Sequence, residues 1–208
     1  MKDVKVNITV LGVGNPIMGD DGVGLEILHE LKKIWNERTN AAADHQHSDH
    51  TDSCCTSDIE FVEGGTAGME LVPTVQEAHK LLILDAVEPA KASAMGLAHA
   101  STDMAYPPGA CVNISGDQVP RLLSTKMSPH QVGLLDVLTA CRLLGTEPDD
   151  VRVVGIVPVS VDLRVGLSPK VQASVVPAAR QALEILQEWQ RADSSPIPPR
   201  PQKIRARA

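Results

Sequence analysis

The chain has 208 residues, of which 43% are apolar, and its formal net charge is −7 at pH 7. This length suits one domain with a sizeable core and leaves little room for a second. The negative charge argues against a nucleic-acid or anionic-membrane partner, because both require a basic protein surface.

The N-terminal segment, MKDVKVNITV, lacks the apolar core of a secretory signal. No apolar run in the sequence reaches the roughly 18 residues that a membrane span needs. The four cysteines show neither the spacing of a disulfide framework nor a Cys-x-x-Cys pair. The sequence therefore predicts a cytoplasmic protein in a reducing compartment, with no membrane partner.

The first predicted unit is a strand, an acidic turn and a helix. Residues 4–13 alternate and then become wholly apolar, which is typical of a strand buried on both faces. From Gly22 onward, apolar residues recur at helical spacing. Residues 40–58 are polar and carry three histidines and two cysteines, and we interpret them as a variable surface loop insertion. Transient binding of a metal by these His and Cys side chains is the alternative.

The acidic turn lies in the stretch LGVGNPIMGDDGVG. Two glycines match the start of a dinucleotide-binding turn, but Ile17 occupies the position of the third. Asp20 and Asp21 would also repel a phosphate at the helix N-terminus. A dinucleotide site is therefore disfavoured, and the two carboxylates instead suggest a positively charged ligand.

A second strand and a buried third strand follow. Residues 59–63 form a short predicted strand, and a helix is predicted from about Gly68. The glycines of GGTAGME fit either a backbone cradle for a ligand or a tight connection between strand and helix. Residues 80–87, with the run LLILD, give the clearest buried strand of the chain, and this strand ends in the carboxylate of Asp85.

The next predicted elements are an edge strand and a capped helix. Residues 89–108 read as an irregular excursion, and ACVNI as a candidate edge strand. In SPHQVGLLDVLTACRLLG, Ser128 is the predicted N-cap, Pro129 the first helical residue and Gln131 the partner in a capping box. Gly145 is predicted to end this helix.

The last strand is VRVVGIVPV, and the last helix begins at Ser168 and Pro169. Strands that alternate with helices predict a single-domain α/β three-layer sandwich, with a mostly parallel twisted sheet of about five strands and helices on both faces. Residues 1–192 form the predicted domain. Residues 193–208 are rich in proline and basic side chains, which predicts a disordered tail.

Three short segments carry the candidate functional residues, because ligands of such sheets bind at the carboxyl ends of strands. Asp20 and Asp21 follow the first strand, Asp85 ends the third, and His130 lies in the first turn of the capped helix. One histidine and two carboxylates suit a borderline divalent ion such as nickel or zinc, with coordination positions left open.

Each candidate also has a purely structural interpretation. One of the two adjacent aspartates is expected to be structural, because an acid near a helix N-terminus is favourable in itself. An acid that follows four apolar strand residues, as Asp85 does, must find a partner or reach a cleft. Nucleophilic catalysis has weaker support, since neither a Gly-x-Ser-x-Gly elbow nor a recognisable Cys/His context is present.

Four motifs in this order, LGVGNPIMGDDGVG, EGGTAGMEL, LLILDAV and KMSPHQVGL, resemble those of the maturation endopeptidases of nickel-iron hydrogenases. The resemblance spans residues 4–186, apart from the His-rich insertion and the longer segment 89–108. It implies an α/β protease that removes a C-terminal extension from the precursor of the hydrogenase large subunit once nickel is in place.

The resemblance also implies which residues contact the metal. The family's two acids and one histidine correspond to Asp21, Asp85 and His130, which we predict to be both catalytic and metal-contacting. Glu63 stands where an aspartate is expected. The nickel would come with the precursor, so the expected partner is the nickel-loaded large-subunit precursor. A hydrolase with its own zinc, and a non-enzymatic nickel carrier that uses the His/Cys insertion, are the alternatives.

Overall fold

Five strands form one sheet in the computed structural model, which describes residues 6–44, 58–87, 106–116, 119 and 133–193. The strand order is β2-β1-β3-β5-β4. In this part of the chain the strands are β1 (Asn7–Val13), β2 (Asp58–Gly65), β3 (Lys80–Ala86), β4 (Cys111–Ser115) and β5 (Asp150–Ile156). The α-helices are α1 (Val23–Asp44), α2 (Val72–Glu77), α3 (Leu134–Leu143) and α4 (Pro169–Asp193), and short 3-10 helices precede α1 (Gly19–Gly22) and α2 (Met69–Leu71).

The sheet is parallel except at one edge. β1 pairs in parallel with both β2 and β3, and β3 pairs in parallel with β5. β4 runs antiparallel to β5 at the edge of the sheet, as predicted for ACVNI. β1 and β3 are central and buried along nearly their whole length, because helices cover both faces of a parallel sheet.

Two hydrophobic cores lie on opposite faces of the sheet. One face is covered by α1 and α4, whose apolar stripes pack on β1, β3 and β5. The other face is covered by α2 and α3. The predicted α/β fold, with one mostly parallel five-stranded sheet and helices on both faces, is confirmed. No helix in the described part of the chain has both the length and the apolar character to cross a membrane.

Two boundaries next to the His-rich insertion differ from the prediction. The predicted loop begins at Asn40, but α1 continues to Asp44, and β2 already begins at Asp58. Alanine has the highest helix propensity, and the alanines at positions 41–43 allow α1 to run on. Residues 45–57 lie outside the described residues.

The start of α3 also differs from the prediction. Gly133 is extended, with φ −79° and ψ 169°, and α3 begins at Leu134 rather than running on from Ser128. The Asp136 carboxylate accepts a hydrogen bond of 2.9 Å from the Gly133 amide, which caps the first turn. A glycine inside a helix is unfavourable, so the chain uses Gly133 as the boundary. Ser128 lies outside the described residues.

The predicted end of this helix is confirmed. Gly145 has a left-handed φ of 66°, which glycine adopts without steric cost. Its amide donates to the Arg142 carbonyl, and the Thr146 amide donates to the Cys141 carbonyl at 2.8 Å. These two bonds satisfy carbonyl groups that the last turn would otherwise leave without partners.

Helix α1 packs against the sheet at Gly24 so closely that a Cβ atom there would overlap the carbonyl oxygens of Val13 and Leu84. We expect Gly24→Ala to lower the free energy of unfolding by about 2 kcal/mol, because the helix must move away from both strands. Urea denaturation measures this loss. Glu26→Ala, at an exposed position of the same helix, serves as the control and should change stability by less than about 0.5 kcal/mol. A Gly24→Ala protein as stable as wild type would contradict the close packing.

Candidate active site

The candidate active site lies at the rim formed by the carboxyl ends of the parallel strands. β1 and β3 are neighbours, with Gly12 opposite Leu84, so both strands end at this rim. The close approach of Gly24 to the Leu84 carbonyl brings the start of α1 to the end of β3. The acidic turn before α1 and the residue after Leu84 therefore belong to one site.

Asp85 follows Leu84 and is almost fully buried, with 4% of its surface exposed. Its Oδ1 accepts a hydrogen bond of 2.8 Å from the Ala86 amide. A carboxylate is costly to bury without polar or cationic partners. Asp85 is thus a buried acid at the end of a central strand, at the same rim as the acidic turn.

Asp21 lies on the 3-10 helix that joins β1 to α1 and is half-buried. Its Oδ2 accepts a hydrogen bond of 2.8 Å from the Asn15 amide. The turn folds back so tightly that a Cβ at Gly14, which has a φ of 128°, would overlap the Asp21 carbonyl oxygen. Glycine at position 14 is therefore needed to place Asp21 at the rim.

Asp20 is fully buried and has a different environment from Asp21. Its carboxylate accepts hydrogen bonds from the Ser168 amide at 2.6 Å, the Ser168 hydroxyl at 2.8 Å and the Val159 amide at 2.8 Å. The Ser160 amide donates a fourth bond of 3.2 Å. Asp20 therefore ties the acidic turn to the β5–α4 loop, which comprises residues 157–168. Of the two adjacent aspartates, Asp20 is the structural one.

The pKa of Asp20 reflects two opposing effects. Burial by itself would raise the pKa of this carboxyl, because the charged form loses hydration. The hydrogen bonds from Ser168, Val159 and Ser160 favour the charged form and hold the pKa below its ordinary value. Asp20 is thus an ionised buried acceptor at neutral pH, with its lone pairs directed at backbone and hydroxyl donors.

The structure brings two of the three predicted site residues, Asp21 and Asp85, to the same rim. The third, His130, lies outside the described residues. Within the ranges that the structure describes, no group of three His, Cys, Asp or Glu side chains is placed to hold a metal ion. The described part of the site contributes two carboxylates, those of Asp21 and Asp85.

Glu63 lies at the end of β2, opposite Gly12 of β1. Its Oε1 lies 3.2 Å from Nε2 of His29 on α1, and both side chains are more than half exposed. An exposed pair of this kind contributes little to stability. The glycines that follow form a tight turn, since the Gly65 carbonyl accepts the Gly14 amide and the Gly64 carbonyl accepts the Ala67 amide.

The two described cysteines are poor candidates for a nucleophile. The Cys111 thiol donates to Oε1 of Gln181 at 3.1 Å, and burial raises its pKa to about 11. Burial also raises the pKa of the Cys141 thiol. Both thiols are protonated at neutral pH, whereas a cysteine nucleophile must be a thiolate. This agrees with the weak support for nucleophilic catalysis in the sequence.

The β5–α4 loop is the part of the site that the sequence did not reveal. It contacts the acidic turn through a parallel bridge between Met18 and Arg164 and through the bonds to Asp20. Val159 of this loop lies 139 positions along the chain from Asp20. Local periodicity in the sequence therefore could not indicate the contact. The one signal was Ser168, predicted to open the last helix, and α4 indeed begins directly after it at Pro169.

This protein has a mostly parallel α/β sheet with acids near the ends of adjacent strands. It therefore belongs to the class of open-sheet proteins, which bind ligands at the carboxyl ends of their strands. Comparison with known sequences gives the family. The sequence model described as "Hydrogenase maturation protease" (HycI) matches residues 42–93 and 101–185. The chain belongs to the hydrogenase maturation protease family, and it is therefore a hydrolase of the endopeptidase type. The resemblance inferred from the four motifs is confirmed.

Individual relatives agree with this assignment. The chain is 33% identical over 183 residues to the hydrogenase 2 maturation protease of Escherichia coli strain K12, which covers 88% of this chain and 92% of the relative. It is also 33% identical to the hydrogenase expression/formation protein HoxM of Azotobacter vinelandii, over 88% of this chain and 73% of the relative.

A solved structure, the hydrogenase maturating endopeptidase HybD from E. coli, is similar to this fold. The TM-score is 0.65 and the identity 33%, over 88% of this chain and 94% of the E. coli chain. A structure of a nickel-iron hydrogenase maturation protease from Thermococcus kodakarensis, 21% identical, has a TM-score of 0.55 and shows the shared fold alone. The five-stranded α/β architecture is thus common to this chain and to solved maturation proteases.

Proposed function

We propose that this protein removes the C-terminal extension of a nickel-iron hydrogenase large-subunit precursor after nickel has been inserted, and that it recognises the bound nickel. Membership of the maturation protease family supports the processing reaction. The observation that carries the nickel part is the placement of two carboxylates, those of Asp21 and Asp85, at one rim of the sheet. These carboxylates offer negative charge and oxygen ligands to a cation that the precursor carries.

In this mechanism the precursor presents its nickel to the carboxylates of Asp21 and Asp85 and to the imidazole of His130. These groups position the precursor so that the bond to be cut lies at the rim. Hydrolysis adds water across that bond: the hydroxyl goes to the carbonyl carbon and a proton goes to the leaving amine. Nickel bound in the substrate would supply Lewis-acid chemistry at the carbonyl or the water, or would serve only to position the chain. If nickel only positions the chain, one of the two carboxylates serves instead as general base and accepts the proton of the water.

The test compares nickel-loaded and nickel-free precursor, each incubated with the purified protein and weighed by mass spectrometry. We expect loss of a C-terminal peptide from the loaded form alone, because the nickel-free form lacks the ligand that bridges enzyme and substrate. Cleavage of both forms would contradict nickel recognition and favour a hydrolase with its own metal. Cleavage of neither form would contradict the proposed processing reaction.

A further inference from the structure

Exposed apolar side chains gather on the β5–α4 loop, beside the acidic turn. Leu163 is 78% exposed and Val165 is 82% exposed, and Val159 and Val161 are also exposed. Ile17, on the acidic turn, is exposed as well. We refer to these five residues as the rim patch. A single exposed apolar residue needs no explanation, but a group of this kind marks an interaction surface.

Hydrogen bonds hold the backbone of the rim patch in place. The Arg164 amide donates to the Ile17 carbonyl at 3.0 Å, and the Arg164 carbonyl accepts the Gly19 amide at 2.7 Å. The Ser160 carbonyl accepts the Asp20 amide at 3.1 Å. These bonds, together with those of the Asp20 carboxylate, fix a loop whose apolar side chains still point to solvent. The exposure is therefore a property of an anchored loop.

Polar and apolar residues alternate along this loop, and the two sets have different contacts. Ser160 and Asp162 bond to each other through Ser160 Oγ and Asp162 Oδ2 at 2.6 Å, and Arg164 bonds to the acidic turn. The apolar side chains of Val159, Val161, Leu163 and Val165 are exposed. The loop thus offers an extended peptide a series of exposed apolar side chains at alternate positions.

The rim patch is continuous with the candidate active site. Its anchoring bonds go to residues 17–20, which directly precede Asp21. The rim patch therefore lies beside the place where a polypeptide with its scissile bond at Asp21 and Asp85 would bind. The guanidinium of Arg164 is half-exposed, and its Nη2 lies 3.9 Å from Oδ1 of Asp20. Its other N–H groups add donors for the carbonyl oxygens of such a chain.

We propose that the rim patch binds an apolar, extended segment of the large-subunit precursor next to the bond that is cut. This inference rests on the proposed function, since that function brings a polypeptide to the rim. The patch then contributes to substrate affinity rather than to bond breaking. A second copy of this chain is the competing occupant, and the experiment below distinguishes it.

The test uses the double variant Leu163→Ser/Val165→Ser, with Leu143→Ser/Leu144→Ser as the matched control. Leu143 and Leu144 are 84% and 62% exposed, and they lie at the end of α3, which precedes β5 and so faces the opposite rim of the sheet. We expect the rim-patch variant to raise KM for nickel-loaded precursor by about tenfold, with kcat within about twofold of wild type, because apolar contacts at an interface contribute mainly to binding. The control variant should keep the wild-type KM.

Binding of the precursor to the immobilised, full-length protein is measured in parallel and does not require cleavage. Failure of the wild type to cut would contradict the proposed function, while a tenfold weaker precursor affinity in the rim-patch variant alone would still support the patch. Equal affinities of wild type and rim-patch variant would overturn the inference. It would also be overturned if light scattering shows a wild-type dimer that the rim-patch variant alone dissociates, because the patch would then hold a second copy.

Discussion

Asp85→Asn is expected to lower kcat/KM for precursor cleavage by about a hundredfold or more, the range found when an acid–base group is removed. Asparagine keeps the shape of the side chain, so the loss would report the missing charge toward the nickel or the missing proton acceptor. Asp21→Asn is expected to have the same effect, since both carboxylates end at one rim. His130→Ala completes the set, because the family resemblance assigns it to the same site.

Initial cleavage rates of nickel-loaded precursor measure these effects, and circular dichroism with thermal unfolding checks that each variant is folded. Asp149→Asn is the matched control, since Asp149 is exposed and directly precedes β5, at the opposite rim of the sheet. It should cleave within about twofold of wild type, as surface substitutions away from a site usually do. Full activity of a folded Asp21→Asn or Asp85→Asn protein would refute the site assignment.

Asp20→Asn is expected to act on stability instead, lowering the free energy of unfolding by about 3 kcal/mol. The carboxylate accepts hydrogen bonds from Ser168, Val159 and Ser160, and asparagine replaces one acceptor oxygen by a donor that faces other donors. Buried donors left without an acceptor account for the loss. Urea denaturation at neutral pH measures it, with Asp162→Asn, exposed on the same loop, as the control.

The pH dependence of stability gives a second readout of Asp20. Because the pKa of Asp20 is lower in the folded protein than its ordinary value, its stabilising effect is complete above about pH 4, the unfolded-state value. The effect is lost as the pH falls through the folded-state pKa. As the pH falls below about 5, the free energy of unfolding of the wild type should therefore decrease more than that of Asp20→Asn. Parallel pH profiles for the two proteins would contradict the assigned role.

Much of the fold followed from the sequence because the apolar runs are unambiguous. Residues 80–87 predicted the central strand β3, and the alternating and then apolar run of residues 4–13 predicted β1. Helical spacing after Gly22 predicted α1, although not its extension to Asp44. Such patterns are local, and burial on both faces of a parallel sheet leaves a continuous apolar signal.

The errors in the sequence-based elements have local causes as well. Ser128, Pro129 and Gln131 match a helix start in the sequence. In the structure Gly133 is the boundary, and Asp136 supplies the cap. A capping pattern identifies where a helix is able to start, and the competing glycine decides where this one does.

The sequence by itself determined the family, the α/β sheet and the rim at which Asp21 and Asp85 lie. Local patterns of neighbouring residues are enough to indicate where a strand ends and where an acidic turn follows. It could not distinguish Asp20 from Asp21, which share one motif and one turn. Only the tertiary structure did so, by bringing Ser168, a residue 148 positions away, against the Asp20 carboxylate. The role of a buried carboxylate depends on the groups that donate hydrogen bonds to it. Here those donors belong to a loop that is distant in sequence and that folding places at the same rim.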